Sequence, residues 1–287
     1  MPSDSRRVQV PDVSTPYQNY CAKTLYKDSQ QALKDLLKDD STRKDGRKPF
    51  EARPICLKQG VSEKAKGSAY IEQGQTKVIC SVFDPREIPS SKTSLEYQRT
   101  KGELYVEFKF APFASKIRTG WLRDSEEKEL GNHLKRALEP AVCRHEFPNF
   151  QVDIFVLVLQ NDGSALSAAI NCANLALADA AIPMYDMVTS TTLALRGGLT
   201  FLDPLEEEAT FCQSSPLANE SDDIECGILT VSYMSVIQQV TQVTLVGTIE
   251  QDLLASQIER IVEQCESLCT EHVQKLLVRN LIKEAKE

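Results

Sequence analysis

Between Leu104 and Phe110 apolar and polar positions alternate strictly, with Leu104, Val106, Phe108 and Phe110 on one side and Tyr105, Glu107 and Lys109 on the other. That period of two predicts a strand with one buried face. GSAYIEQGQTKVICSVF, residues 67–83, alternates in the same way across Gln73-Gly74-Gln75 and predicts a β-hairpin. At Asp124 the period changes. Asp124 and Glu127 form a capping pair, and Leu130, Leu134, Ala137, Leu138 and Ala141 follow at helical spacing. Residues 151–160 are a nearly continuous apolar run, as a central strand requires, and a helix of small residues follows until Pro183 stops it. Further strands are expected at 187–195, after a Gly197-Gly198 turn at 199–202, and at 227–233 and 240–247. A last helix, 250–285, should bury Leu253, Ile258, Ile261, Val262, Cys265, Leu268, Val273 and Leu276. Residues 1–50 are polar and proline-punctuated and read as an arm, with a weak helical pattern only at 32–38. Residues 86–103 read as a charged loop, and no internal repeat is visible.

With 41% hydrophobic and 26% charged residues, the 287-residue chain can bury one large core or two small ones. Its net charge of -8 argues against a free-standing RNA binder, because phosphate neutralisation supplies most non-specific affinity. The charge is unevenly spread. From Arg86 to Arg123 there are eight Lys or Arg against four Glu, whereas no Lys or Arg occurs from Gly197 to Glu259. Arg99, Lys101, Lys116, Arg118 and Arg123 are thus the candidates for RNA contact, the alternative being a solvated loop. Trp121, beside them, is read as an interface residue.

Nine cysteines without a Cys-x-x-Cys pair, and only three histidines, support neither a zinc site nor a disulfide framework. Cys265 and Cys269 are read as core fillers, and reduced thiols suit an intracellular compartment. The N-terminus carries Asp4, Arg6 and Arg7 with no apolar run behind them, so no secretory signal is expected, and Asn219-Glu220-Ser221 is a sequon by chance. The apolar stretch 165–182 contains Asn171, Asn174 and Asp179, which fits a buried core helix and no membrane span.

The run DSEEKELGNHLKRALEPAV from Asp124, followed by FQVDIFVLVLQNDGSALSAAINCANLALADAAIPMYD at 150–186, resembles the ribonuclease PH superfamily of phosphate-dependent 3′-exoribonucleases. There a buried strand ends in a Gln-x-Asp-Gly loop and runs into a small-residue helix; Gln160, Asp162, Gly163 and the run Ala176 to Ala180 match. MPSDSRRVQVP at the start, AKGSAYIEQGQTKVIC at 65–80, APFA at 111, RALEPAV at 136, MYDMV at 184 and LDPLEEE at 202 are similar to a non-catalytic branch, the RNA exosome ring subunits of the mRNA transport regulator 3 type. The resemblance spans nearly the whole chain. It implies an α+β, RNase PH-like (ribosomal protein S5 domain 2-like) βαβ-type fold, as a single domain over residues 51–287 behind the 1–50 arm.

It also marks where catalysis is missing. Active members follow Asp-Gly with Gly-Thr-Arg, whose hydroxyl and guanidinium hold the attacking phosphate; here Ser164, Ala165 and Leu166 stand there. Ser164 is read as a helix N-cap in preference to an anion cradle. Paired arginines that grip RNA correspond to Ser125 and Glu126, which suit a helix N-terminus instead. Two aspartates that act with magnesium fall in the acidic segment 203–225, with Glu225 near the second and the first among Glu206, Glu207 and Glu208. An insertion breaks their spacing, which favours a solvated acidic loop over a magnesium site. Asp162 completes the degenerate positions.

The resemblance therefore implies a catalytically inactive structural subunit of the exosome core ring, without metal or cofactor. It would pair with another RNase PH-like chain as a heterodimer within a hexameric ring, support an RNA-binding cap subunit, and line the channel through which RNA passes to nucleases elsewhere. It implies nucleus, nucleolus and cytoplasm as location. The alternative is an active phosphate-dependent 3′-exoribonuclease.

Overall fold

The computed structural model describes residues 36–39, 42–88, 101–116, 118, 120, 124–213 and 225–284. Its elements run β1 (Leu37–Asp39), β2 (Thr42–Arg43), β3 (Ile55–Gln59), β4 (Gly67–Gln73), β5 (Thr76–Glu87), β6 (Glu103–Phe110), α1 (Ser125–Leu138), β7 (Phe150–Gln160), α2 (Ala165–Asp179), β8 (Val188–Arg196), β9 (Leu199–Leu202), α3 (Glu206–Gln213), β10 (Cys226–Met234), β11 (Gln239–Thr248), α4 (Gln251–Leu268) and α5 (Lys275–Glu284). A five-stranded sheet has the order β3-β4-β5-β7-β6, and a four-stranded sheet the order β11-β10-β8-β9. Every pairing is antiparallel except β6 with β7, which α1 connects as a parallel crossover. The apolar run at 151–160 is interior strand β7, as expected, and Gly74 supplies the positive φ (58°) that turns the β4–β5 hairpin.

Helix α2 lies between the sheets and touches both, which is why it is built of alanine, serine and other small residues. Gly67 of β4 has no room for a Cβ, which would come within 2.2 Å of the Ala180 nitrogen. The two asparagines inside this helix act as backbone surrogates. β9 pairs only with residues 193–196 of β8, so on that side the earlier part of β8 has no strand neighbour in the sheet. Asn171 fills the gap by donating to the Ser190 carbonyl (2.9 Å) and accepting from its N–H (2.8 Å), and Asn174 accepts from the Val188 N–H (3.2 Å). All nine residues of β8 are buried, and its threonine and serine hydroxyls are bonded internally, as between Thr192 and Thr230 (3.1 Å).

Helix α4 covers the opposite face of the second sheet through Ile261 and Cys265 against Leu193, Leu195, Leu229 and Val231. The single helix expected at 250–285 is interrupted by a π-helical turn, Cys269–Gln274. The cause is spacing: Cys265, Cys269, Val273 and Leu277 recur every four residues, longer than the 3.6-residue α repeat, and a wider turn keeps them on the core side. Cys265 and Cys269 are buried core residues.

Of the segment read as an arm, residues 36–39 and 42–50 are described; Leu37–Asp39 forms a short strand at the end of the helical pattern read at 32–38, whose first four residues lie outside the described ones. The Arg43 side chain is fully buried, bonded to the Pro49 and Leu202 carbonyls and lying over the Phe201 ring. Arg53 forms a bidentate pair with Asp203 (Nε–Oδ2 2.7 Å, Nη2–Oδ1 2.5 Å), with both side chains buried. These arginines fasten the segment before β3 to the end of β9.

Removing either member of the Arg53–Asp203 pair strands the other charge in the interior, at a cost of about 3–5 kcal/mol. Arg53→Met and Asp203→Asn should therefore each lower the urea midpoint sharply. Burial pushes the Asp203 carboxyl up, but the Arg53 hydrogen bonds and charge outweigh it and hold the group below the usual carboxylate range. A carboxyl with a depressed folded pKa stabilises above its unfolded value, about 3.9, and loses that contribution as pH falls through the folded value. The stability gap between wild type and Asp203→Asn should be constant near neutrality and shrink below about pH 4; a gap that widens on acidification would contradict the assignment.

Candidate functional cleft between the sheets

Packing α1 and α3 on the same side of the second sheet leaves a cleft of about 500 Å³ between them. Its floor is sheet: Thr192, Thr230 and Thr244 are register neighbours across β8, β10 and β11, and Ile228 pairs with Val246 beside them. One bank is α1, contributing Glu126, Glu129, Leu130 and His133; the other is α3, contributing Glu206, Ala209, Thr210 and Gln213. The end wall is the turn from Asn161 through Leu166 at the start of α2, with Phe110 nearby.

The α1 bank is fixed by its cap. Asp124 and Glu127 form the expected capping box, and the other oxygen of Glu127 accepts from the Phe110 N–H (2.9 Å), which ties the helix start to the end of β6. Ser125 and Glu126 occupy the first turn, both exposed, with Glu126 facing the cleft. Glu129 approaches His133 at 3.8 Å, and His133 Nδ1 lies 2.8 Å from the Gln242 amide nitrogen.

Ser164 sits at the N-cap position of α2, but its hydroxyl does not cap. The residue has a left-handed backbone (φ 54°), and its Oγ donates instead to the Pro204 carbonyl (3.2 Å). The approach of residues 204–206 explains this, since a Cβ on Gly163 would lie 2.4 Å from the Pro204 oxygen. Leu166 stands in the end wall. Asp162 points to a shallow depression on the far side, bordered by Lys77, Phe113 and Lys116. Burial raises its carboxyl above the usual range, against the pull of Arg53, whose Nη1 lies 3.9 Å away.

Of the acidic segment 203–225, residues 214–224, with Asp222 and Asp223, lie outside the described residues, and the stretch that follows Leu205 is not the solvated loop that was expected. Residues 206–213 are helix, and the three glutamates diverge at helical spacing. Glu208 turns inward, almost completely buried, accepts from the Leu205 N–H (2.9 Å) and lies 3.5 Å from Arg43; burial raises its carboxyl in spite of that arginine. Glu207 faces out to Lys44 (3.1 Å), which lowers its carboxyl. Only Glu206 lines the cleft. Glu225 accepts from the Glu250 N–H (3.3 Å) and does not line the cleft. Among the described residues no three His, Cys, Asp or Glu converge on a metal position.

Of the basic candidates, Lys116 is held by Glu206 (3.4 Å) and Glu207 (3.5 Å), and Lys101 and Arg118 are exposed. Arg99, Arg123 and Trp121 lie outside the described residues. Arg86 ends β5 and pairs with Asp153 (2.5 Å). The cleft brings together Glu126, Ser164, Leu166 and Glu206, which the sequence placed in three separate segments, with Glu129 and His133, which it missed and which share the helical face of Glu126 at spacings of three and seven.

Residues 51–183, which comprise the first sheet with α1 and α2, match the family described as 3′ exoribonuclease family, domain 1, RNase_PH. The chain is 35% identical over 284 residues to "Exosome complex component MTR3" of Homo sapiens, covering 93% of this chain and 92% of that one. It is 38% identical over 208 residues to "Exosome complex component RRP41-like" of Arabidopsis thaliana, 72% and 73% of the two chains. Among solved structures, its fold is similar to that of the Archaeoglobus fulgidus exosome with RNA bound to the active site, with a TM-score of 0.70, 22% identity, and 85% of this chain and 96% of that chain covered. Rice Rrp46 matches with a TM-score of 0.65 and 24% identity over 82% and 100% of the chains.

Proposed function

The chain belongs to the RNase PH-type 3′ exoribonuclease family, and we propose that within it the protein is a non-catalytic ring subunit of an RNA exosome. The observation that carries this reading is the cleft, whose lining among the described residues holds three carboxylates and Leu166 but no lysine or arginine. Phosphorolysis needs a cationic or amide-rich seat for inorganic phosphate and for the scissile phosphodiester. Here the Ser164 hydroxyl is engaged with Pro204, and Glu126, Glu129 and Glu206 would repel both anions. Loss of even one preorganised donor to a developing oxyanion costs about 100- to 1,000-fold in rate. The near-full-length similarity to an exosome component supports assembly with other RNase PH-type chains as a heterodimer in a hexameric ring, contact with an RNA-binding cap subunit, and residence in nucleus, nucleolus and cytoplasm.

The edge of the second sheet is the surface we assign to a ring neighbour. Among the described residues β11 is its terminal strand, and Val240, Val243 and Leu245 are each more than a third exposed, the kind of edge that soluble proteins cover or pair. RNA passing through the ring would meet Arg99, Lys101, Arg118 and Arg123, while Lys116, held by two glutamates, contributes less.

Incubated with poly(A), phosphate and magnesium, the protein should release no nucleoside diphosphate, and Leu166→Arg alone should not restore release because the carboxylates remain. Release that disappears in Asp162→Ala or Glu225→Ala would establish the enzyme instead. Co-expression with an RNase PH-type partner should give a soluble one-to-one complex, which Val243→Asp with Leu245→Asp weakens at least tenfold without lowering the chain's own stability; an unchanged complex would remove β11 from the interface. In the assembled ring, charge reversal of Lys101 and Arg118 should shorten or weaken nuclease protection of RNA while assembly persists, and unchanged protection would leave them as surface.

A further inference from the structure

We propose that the cleft between α1 and α3 is a docking groove for an extended peptide of a partner protein in which lysine or arginine alternates with apolar residues. The proposal stands on the cleft alone and does not depend on ring membership. Its volume of about 500 Å³ falls in the range of ordinary ligand sites, roughly 300–1,000 Å³. The floor offers Ile228 and Val246 together with the apolar flanks Leu130 and Leu166, and the threonine hydroxyls of Thr192 and Thr230 are already bonded to each other. Such a floor takes up alternate apolar side chains of an extended strand.

The banks set the charge of the occupant. Glu126 and Glu129 stand on one side, so a cation on that flank of the peptide meets carboxylates, whereas RNA meets repulsion; Glu206 on the other side is already held by Lys116, 3.4 Å away. Glu126 makes no ion pair among the described residues and is exposed, ready for an incoming cation.

The test is fluorescence anisotropy on the full chain with three probes: a short peptide alternating lysine with valine, the same peptide with glutamate for lysine, and an oligo(A) RNA of similar length. The lysine peptide should bind, with affinity that falls as salt rises. Glu126→Lys with Glu129→Lys should weaken it at least tenfold and Val246→Ser severalfold, with thermal unfolding of each variant checked to confirm that it is folded. Reversal of the equally exposed Glu259 and Glu263 on α4 should leave binding as it is. No binding, equal binding of the glutamate peptide or the RNA, indifference to Glu126 and Glu129, or an equal loss on reversing Glu259 and Glu263 would each overturn the proposal; the last would mark the attraction as bulk charge.

Discussion

A single buried guanidinium holds the two sheets around the cleft. Besides its bidentate grip on Asp203, Arg53 donates through Nη1 to the Asp162 carbonyl (2.9 Å) and through Nη2 to the Gly163 carbonyl (3.3 Å). Thr76, at the start of β5, closes the network by donating to Gly163 O (2.9 Å) and accepting from Asp162 N–H (3.2 Å). The hairpin, the end-wall turn and the end of β9 thus share one polar knot. Asp203 accepts a left-handed backbone (φ 49°) within it, strain that only an over-determined environment sustains. Burial of two charges costs much of what their attraction returns, so the net value of the knot lies in fixing geometry more than in stability.

That geometry explains why residues 206–213 are a packed helix and not a solvated loop. Once Asp203 is fixed and Pro204 presses on Gly163, α3 must start where it does, and helical spacing then sends its glutamates in three directions. Arg43 receives Glu208 inside, Lys44 receives Glu207 outside, and Glu206, which lines the cleft, is held by Lys116. The same segment that precedes β3 supplies both cations, so the N-terminal residues and the acidic helix are one construction.

Periodicity made most of the fold legible. The alternation at 104–110, the hairpin around Gly74, the capping pair at Asp124 and the buried run of β7 each rest on local rules that the tertiary structure respects. The failures share a cause. Arg43, Arg53 and Glu208 look like surface residues in sequence and are buried, because their partners lie more than 140 positions away and no local pattern announces a long-range ion pair. Ser164 fits an N-cap rule that the approach of Pro204 overrides. The π turn follows from a four-residue spacing that was present in the sequence, at Cys265, Cys269 and Val273, but was absorbed into an ordinary helical reading.

Charge placement then connects these details to function. On the function proposed here, Leu166 offers a phosphate no attraction, and Glu126 and Glu129 around the same space add repulsion, a difference that matters for a protein near a polyanion. An empty but neutral cleft would still admit a stray 3′ end, since the fold leaves the space open. An acidic one turns RNA away at the range over which unscreened charges act, about 8–10 Å at physiological salt. On the function proposed here, the exposed Lys101 and Arg118, which lie outside the cleft lining, would attract RNA locally while the carboxylates turn it from the cleft, so that electrostatics sets its path.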